Sequence, residues 1–307
     1  MSGVLAVDLG GSGSRARLVT TAGAREVTGE RLRVGPAGLV VAPLVAVLVA
    51  RLQPRDGEVT GVCVGSSGIL TLSAGPEQVL DAVRRAVGDV PTVVASDAVT
   101  STIGALGGRA GGVVLAGTGA TALGTDLGAN WRKVDGWGHV LGDAGSGSWI
   151  GARALRTALE QHDGRRDDAA GLLAVTSERF GAPESWPRQI YLREDRAGVL
   201  ASVVPDVVAL AETDDPVARS ILERAGHELA ASLAAVLRPP VPARASWAGG
   251  LFGAAPVLAA MRASLAAARP DVVLEPPRGT ALDGAESLAR TALAGNLVPA
   301  PPLVTVH

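Results

Sequence analysis

Apolar and polar positions in the first twenty residues predict two β-strands joined by a tight turn. Val4 to Asp8 is a short apolar run that ends in a carboxylate. A glycine-rich segment follows, and residues 15–20 then alternate between polar and apolar side chains, as a half-buried strand does. Two strands joined by a glycine turn form a hairpin, whereas a P-loop or a dinucleotide-binding unit passes from a strand through glycines into a helix.

After this hairpin, the pattern predicts strands in alternation with helices. We expect strands over 25–34, 59–64 and 92–95, and helices over 38–52, over 76–87 and from residue 98. Strands that alternate with helices are typical of α/β layers around a largely parallel sheet.

The same pattern then restarts. Strands are predicted over 112–116, 120–125 and 130–134, with a glycine turn between the first two. Helices are predicted over 147–162, 256–267 and 284–293, and a long amphipathic helix is predicted to run from Pro216 until Pro239 and Pro240 stop it. Strands over 243–248 and 272–275 and surface loops over 164–169 and 181–188 complete the chain. Two copies of a hairpin, a third strand and alternating elements indicate a duplicated domain with a cleft between the halves.

The amino-acid composition excludes several classes of protein and of site. The 307 residues are 47% hydrophobic and carry a net charge of −2, so the broad basic surface of a nucleic-acid-binding protein is missing and we expect no nucleic-acid partner. Cys63 is the only cysteine, which excludes an intrachain disulfide and a thiolate-rich metal site, and its apolar surroundings favour a buried structural thiol. No signal-peptide pattern opens the chain, and the apolar stretch over 39–52 is too short to span a bilayer. We therefore expect a cytoplasmic protein without a membrane partner.

The two glycine turns are candidates for phosphate binding, because their backbone N–H groups are not screened by Cβ atoms. Asp8, at the end of the first strand, could hold a water molecule on a magnesium ion. Each turn by itself is also compatible with an ordinary hairpin, but two such turns at the starts of two similar halves are harder to obtain by chance. The phosphate candidates are Gly10, Gly11, Ser12, Gly13 and Ser14 in the first turn and Gly117, Thr118 and Gly119 in the second.

Asp97 follows a predicted strand and precedes a helix. It could be a general base that accepts the proton of a hydroxyl during phosphoryl transfer, or, like Ser96, it could cap the helix. A dozen residues from Gly136 to Gly147 contain five glycines and Asp143, whose carboxylate could bind two adjacent sugar hydroxyls. We interpret Trp137 and Trp149, in or beside this segment, as packing residues. Gly249 and Gly250, at the end of another predicted strand, would let a flat base approach the backbone.

Together these segments resemble the N-acetylglucosamine kinase group of the BadF/BadG/BcrA/BcrD family, within the actin-like ATPase superfamily. The resemblance covers the first glycine turn, Ser96 to Ala98, the second turn, the Gly136–Gly147 segment and Ala248 to Gly250, in that order. It departs from the family pattern at Gly38, where related kinases present an asparagine to the sugar, and at Ala144, where an acidic residue is common.

The resemblance implies two RNase H-like α/β lobes that flank a cleft for ATP and sugar. The lobes would span 1–107 and 108–283, with a C-terminal helix over 284–307 packed back on the first lobe. It further implies a homodimer that uses ATP and Mg²⁺ and phosphorylates the 6-hydroxyl of an N-acetylglucosamine-like sugar, with Asp97 as the base. Thr118, Gly136 and Asp143 would contact this sugar substrate, and Gly249 and Gly250 the adenosine.

Two other functions remain open at this stage. The wider family includes ATPases that activate or regulate another enzyme, but such activators hold an iron–sulfur cluster through cysteines, and Cys63 alone does not favour this function. A sugar sensor without catalysis would not need Asp97.

Overall fold

The computed structural model describes residues 3–11, 13–35, 38–68 and 76–307, so that Ser12, among the candidate residues, lies outside the described part. The elements before residue 107 are β1 (Gly3–Leu9), β2 (Ser14–Thr20), β3 (Gly23–Gly29), β4 (Val34–Gly35), β5 (Gly38–Leu39), α1 (Ala42–Leu52), β6 (Val59–Ser66), α2 (Glu77–Val87), β7 (Thr92–Ser96) and α3 (Asp97–Leu106).

The remaining elements are β8 (Gly111–Ala116), β9 (Ala120–Thr125), β10 (Trp131–Asp135), α4 (Gly147–His162), α5 (Ala170–Phe180), α6 (Trp186–Tyr191), α7 (Arg196–Ala201), α8 (Val204–Glu212), α9 (Pro216–Val236), β11 (Arg244–Ala248), α10 (Ala255–Ala268), β12 (Val273–Leu274), α11 (Ala281–Leu293) and β13 (Val304–Val306).

Two sheets repeat one arrangement of strands. The first has the order β13-β7-β6-β1-β2-β3 and the second the order β10-β9-β8-β11-β12. In each sheet an antiparallel meander, β1-β2-β3 or β8-β9-β10, continues into two strands that run parallel to its first strand, β6-β7 or β11-β12. The first sheet has one further strand, β13, which pairs antiparallel with β7 at its edge. The α/β fold class with two related sheets, predicted from the repeated pattern, is confirmed.

The first sheet is covered on both faces. Helices α1 and α2 bury one face, with Leu48 and Val79 fully inaccessible. Helices α3 and α11 bury the other face, where Val4, Ala6 and Cys63 pack against Ile103 and Leu288. Burial raises the pKa of the Cys63 thiol, in keeping with the expected structural role.

Helix α3 connects the two sheets, because it contacts β6 and β7 of the first and β8 and β11 of the second. Helix α11 contacts α3 and also lies on β1 and β6. Arg17 of β2 donates a hydrogen bond to Asp283 of α11 at 2.6 Å. The chain therefore returns from the second sheet to the first, but the expected C-terminal helix over 284–307 is shorter. Helix α11 ends at Leu293, just before Gly295 with its φ of +71°, and residues 304–306 form β13, which pairs with β7. The lobe boundary between residues 107 and 108 stays a prediction.

Some predicted elements need correction. Residues 38–39 form β5 and the helix begins only at Ala42, where Pro43 occupies the first turn that favours proline. The expected surface loop over 181–188 is wrong: it contains a 3₁₀ turn and the start of α6, where Trp186 is buried and its indole donates to the Gly181 carbonyl. Prolines 183 and 187 lie in first turns, where they start helices rather than break them.

Candidate functional site

The first glycine turn connects β1 to β2 and leaves space beside its backbone. Gly10 donates its N–H to the Gly13 carbonyl at 3.0 Å, which closes the turn. A Cβ atom placed on Gly11 would have no atom within 4 Å, so a phosphate could approach there. Ser14 is buried, and its hydroxyl donates to the Glu30 carbonyl at 2.6 Å, so a contact from Ser14 to phosphate stays a prediction.

Asp8 lies at the end of β1 with little solvent exposure and is paired with Arg15, its neighbour across the hairpin, at 3.0 Å. Burial raises the pKa of Asp8, and the hydrogen bond and charge of Arg15 oppose that rise. A buried carboxylate beside an open glycine turn fits a magnesium ion that keeps its water and is held partly by phosphates. In the described residues, there is no cluster of three or more metal-ligating side chains that could hold an ion by itself.

Asp97 is the first residue of α3, immediately after β7. The hydroxyl of Ser96 accepts the Val99 N–H at 3.3 Å, so Ser96 caps the helix, while the role of Asp97 as a base stays a prediction. The carboxylate of Asp97 accepts only the adjacent Ala98 N–H, at 2.8 Å, among the bonds of the described residues. Burial, and to a smaller extent the negative charge of Asp8, raise the pKa of Asp97. The two carboxylates therefore lie close enough to interact.

The second glycine turn connects β8 to β9 and supports the N-terminus of α4. Gly117 donates to the Gly119 carbonyl at 2.9 Å, repeating the closure of the first turn. The carbonyls of Gly117 and Thr118 accept the N–H groups of Gly147 and Ser148 at 2.8 and 3.0 Å. The side chain of Thr118 is exposed and is therefore accessible to a ligand.

Asp143 is held against this second turn. Its side chain is almost fully buried, and a Cβ atom on Gly119 would come within 2.7 Å of its carboxylate, so a side chain at residue 119 would displace the Asp143 carboxylate. One carboxylate oxygen accepts the Gly138 N–H at 3.1 Å. Burial raises the pKa of Asp143, the Gly138 bond opposes this, and the charge of Asp135 adds to the rise.

Asp135, a residue that the sequence analysis missed, fixes the position of Asp143. Its carboxylate accepts three backbone N–H groups: those of Gly136 and Asp143 at 2.8 Å and that of Ala144 at 2.7 Å. Both Asp135 and Asp143 have a positive φ, near 60° and 56°, which side chains rarely adopt without such support. The available signal was the Asp135-Gly136 pair at a strand end, a common turn dipeptide.

The segment between these two aspartates projects outward. Trp137 is 72% exposed, and Val140 and Leu141 are also exposed, so the expected packing role of Trp137 is wrong. The glycines on both sides of Trp137 and before Asp143 have no side chains that could pack into the core. Trp149, in contrast, is half-buried against the core and has the Arg153 guanidinium over its ring.

The two glycines expected at the adenosine have different environments. Gly249 has a φ of +110°, and a Cβ atom there would lie 2.1 Å from the Ala116 carbonyl, so this glycine permits β11 to pass close to the end of β8. Gly250 opens a 3₁₀ turn, and a Cβ atom there would meet nothing within 4 Å. Of the two glycines, Gly250 therefore has open space beside it, and the binding of adenosine there stays a prediction.

The contacts connect the candidate residues in two groups. Asp8 and Asp97 interact in the first lobe, beside the first glycine turn. In the second lobe, Asp143 lies on Gly119, and Gly249 lies on the strand that leads into the same turn. That both groups serve one bound nucleotide and one sugar remains a prediction. None of the described helices combines the length and apolar character needed to cross a membrane.

Three comparisons with known proteins bear on this geometry. The model described as the BadF/BadG/BcrA/BcrD ATPase family matches residues 5–286. An N-acetylmuramic acid/N-acetylglucosamine kinase of Clostridium acetobutylicum is 29% identical over 191 residues, which cover 59% of this chain and 59% of that protein, so less than two thirds of the relative is matched.

Among solved structures, a Chromobacterium violaceum protein described provisionally as an N-acetylglucosamine kinase has a TM-score of 0.71 at 24% identity, with 93% of this chain and 98% of that chain covered. A ROK family glucokinase from Streptomyces griseus, solved with glucose and AMPPNP, has a TM-score of 0.55 at 17% identity, with 96% and 100% covered. Both similarities concern the fold.

Proposed function

The chain belongs to the BadF/BadG/BcrA/BcrD ATPase family, and from this premise we propose that it is an ATP-dependent sugar kinase. The proposed reaction transfers the γ-phosphoryl group of ATP to the 6-hydroxyl of an amino sugar such as N-acetylglucosamine. The similarity to an amino-sugar kinase over 59% of the chain supports the substrate class. The fold shared with the glucokinase is compatible with it.

The observation that carries the proposal is the carboxylate of Asp97. Because Ser96 caps α3, the Asp97 carboxylate is not needed for capping, and its raised pKa makes it a stronger base than an ordinary aspartate. In the proposed step, the sugar hydroxyl oxygen forms a bond to the γ-phosphorus while the bond to the β–γ bridging oxygen breaks. Asp97 takes the hydroxyl proton, and the products are a sugar 6-phosphate and ADP.

The phosphates are proposed to lie at the two glycine turns, which offer backbone donors without Cβ atoms. Magnesium would neutralise charge on the phosphates, and Asp8 would hold it through water. Arg15, which is paired with Asp8 at the edge of the first turn, favours the ionised form of this carboxylate and so opposes the effect of its burial on the pKa. Gly250 offers the open backbone against which adenine would lie.

Asp143 is proposed to bind two sugar hydroxyls, with Thr118 and Gly136 beside it. Its carboxylate is already oriented by Gly138 and by the Asp135 contacts, so it loses little freedom when a sugar binds. Gly38 stands where related kinases present an asparagine, so residue 38 offers no side-chain amide to the sugar.

An activator ATPase is the second candidate, and two observations distinguish it from a kinase. Cys63 is the only cysteine and lies buried in β6, so it offers no ligand to a cluster shared between subunits. An activator would also hydrolyse ATP without any sugar. The presence of Asp143 under the second turn, where a hydroxylated ligand would be recognised, favours the kinase.

The test is ADP release by the purified protein with Mg-ATP and a panel of N-acetylglucosamine, N-acetylmuramic acid, glucosamine and glucose. We expect ADP release that depends on an amino sugar, with the phosphate on oxygen 6 in the ³¹P NMR spectrum of the product. Asp97→Asn, prepared in parallel, controls for contaminating kinases. ADP release that is independent of every sugar would favour the activator, and no release with any of them would contradict the kinase.

A further inference from the structure

Lys133 has an unusual place in this sequence and in the candidate site. Among 28 basic residues it is the only lysine. It lies on β10 two residues before Asp135, and alternate residues of a strand share one face. The Lys133 side chain therefore leaves the strand on the same face as the carboxylate that fixes Asp143. Arg132, its neighbour, leaves on the opposite face.

Lys133 forms no ion pair with a carboxylate of the described residues. Its ammonium group donates to the Gly136 carbonyl at 3.1 Å and lies 5.0 Å from the centre of the Trp137 ring. Across the described ranges, no carboxylate comes within 4.0 Å of it. An ammonium is a compact, strongly hydrated charge that pairs well with a single anionic oxygen.

Trp137 supplies an apolar surface next to this charge. The indole is 72% exposed, although an aromatic side chain of this size usually contributes buried area. The two residues that flank Trp137 both belong to the candidate sugar site: Gly138 donates its N–H to the carboxylate of Asp143, and the Gly136 carbonyl accepts a hydrogen bond from the Lys133 ammonium. An exposed ring with a cation over it suits a ligand group that has a short apolar stem and an anionic end.

We propose that Lys133 and Trp137 form a subsite for a carboxylate-bearing substituent of the sugar, so that the amino sugars bound include acidic ones. The inference rests on the proposed function, since the ligand beside Asp143 is taken to be a sugar. Lys133 forms a charged hydrogen bond with the substituent's carboxylate, and Trp137 covers its apolar stem. The subsite changes the affinity for the sugar and leaves the phosphoryl transfer to Asp97.

A matched pair of sugars tests the subsite. N-acetylmuramic acid differs from N-acetylglucosamine by one lactyl ether, which carries a carboxylate. Lys133→Met keeps the length of the side chain and removes its charge. We expect the KM for N-acetylmuramic acid to rise about 10- to 100-fold, the usual effect of losing a charged hydrogen bond, with a much smaller rise for N-acetylglucosamine and little change in kcat.

Arg132→Met is the matched control, because it removes one positive charge from the opposite face of the same strand. We expect it to change neither KM. Equal effects of Lys133→Met on the two sugars, or an effect of Lys133→Met no larger than that of Arg132→Met, would overturn the subsite, since long-range attraction of an anion would then explain the result.

A binding measurement separates the subsite from the kinase activity. Reductive ¹³C-dimethylation of the full chain keeps the ammonium charge and gives one lysine signal, apart from that of the N-terminal amine. N-acetylmuramic acid is expected to shift the lysine signal, whereas N-acetylglucosamine and free lactate are not. A shift without turnover of any sugar would contradict the kinase but support the subsite. Turnover of sugars without a selective shift would leave the kinase and overturn the subsite.

Discussion

At the scale of single residues, the hydrogen bonds at the start of α3 show whether Ser96 or Asp97 caps the helix. The sequence offered Ser96 and Asp97 equally as the cap of α3, and the Ser96 hydroxyl takes that role. Asp97→Asn retains size and one acceptor but cannot take a proton. We expect kcat to fall about a hundredfold or more, with the affinity for Mg-ATP nearly unchanged. Steady-state kinetics and nucleotide titration check this, and a near-normal kcat with an intact fold would remove the catalytic assignment.

The pH dependence of the reaction follows from the surroundings of Asp97. Burial and the nearby Asp8 charge raise the pKa of Asp97 above its ordinary value of 3.8. The base is active when ionised, so kcat/KM is expected to fall as the pH drops through this raised pKa. The acid limb of the pH profile should therefore lie above pH 3.8. A limb at or below that value would mean that another group limits the rate.

Asp135 acts through Asp143 and is therefore a positioning residue. In Asp135→Asn an amide replaces the carboxylate. The NH₂ group of the amide cannot accept a hydrogen bond, so at least one of the three backbone N–H groups that Asp135 binds loses its acceptor. We expect the sugar KM to rise about 10- to 100-fold with a much smaller change in kcat, because loop geometry rather than proton transfer is lost. The measurement is the separate determination of KM and kcat.

Asp126→Asn is the control for Asp135→Asn. Asp126 also caps a turn, by accepting the N–H groups of Gly128 and Asn130, but this turn connects β9 to β10 away from Asp143. If both variants change the sugar KM equally, Asp135 has only a general structural effect.

Sequence motifs located the candidate residues that lie in short contiguous segments. Asp8 and Asp97 each end a predicted strand, and strand ends are where α/β sheets place ligands. Asp135 could not be found in this way, because its bonds reach eight and nine residues along the chain to Asp143 and Ala144. The exposure of Trp137 could not be predicted from the sequence either, because apolar character alone predicts burial.

At the scale of elements, the sequence predicted best where glycine and proline mark the ends. The strand over 120–125 and the helix over 147–162 have the predicted bounds. Helices α5 to α8 were missed, because they are short and pack in a layer on α4 and α9 without a long apolar period. Their helical state depends on tertiary contacts that no local pattern contains.

The crossing of α3 and α11 depends on two glycines. A Cβ atom on Gly284 would lie 1.8 Å from the Thr100 carbonyl, and one on Gly104 would lie 1.8 Å from the Thr280 carbonyl. Gly284→Ala must push the two backbones apart, and we expect it to lower the free energy of unfolding by about 1–3 kcal/mol. Urea unfolding followed by circular dichroism measures this loss.

Gly198→Ala is a control that we expect to raise the free energy of unfolding, whereas Gly284→Ala lowers it. Gly198 is a helical residue of α7, and a Cβ atom there would meet nothing within 4 Å. Alanine should stabilise this helix by up to about 1 kcal/mol. A Gly284→Ala protein as stable as the wild type would show that α3 and α11 can separate without cost.

At the scale of the whole molecule, the repeated arrangement of strands brings β8 and β11 together beneath the candidate adenosine position. Gly249 permits their close approach, whereas Gly250 lies beside open space. A substitution at Gly249 therefore acts on the fold, and one at Gly250 acts on whatever occupies that space. This difference makes nucleotide binding testable without unfolding the protein.

A ligand that binds only the folded chain stabilises it by mass action, by about 2.7 kcal/mol at a hundred times its Kd. Mg-ATP is therefore expected to raise the Tm of the wild type. Gly250→Leu should leave the unliganded Tm nearly unchanged and abolish the shift, because the side chain fills the proposed adenine position. Gly253→Leu, at the other end of the same 3₁₀ turn and equally free of neighbours, should retain the shift. Since both leucines add the same apolar surface to one turn, a shift retained in Gly250→Leu would mean that adenine binds elsewhere in the molecule.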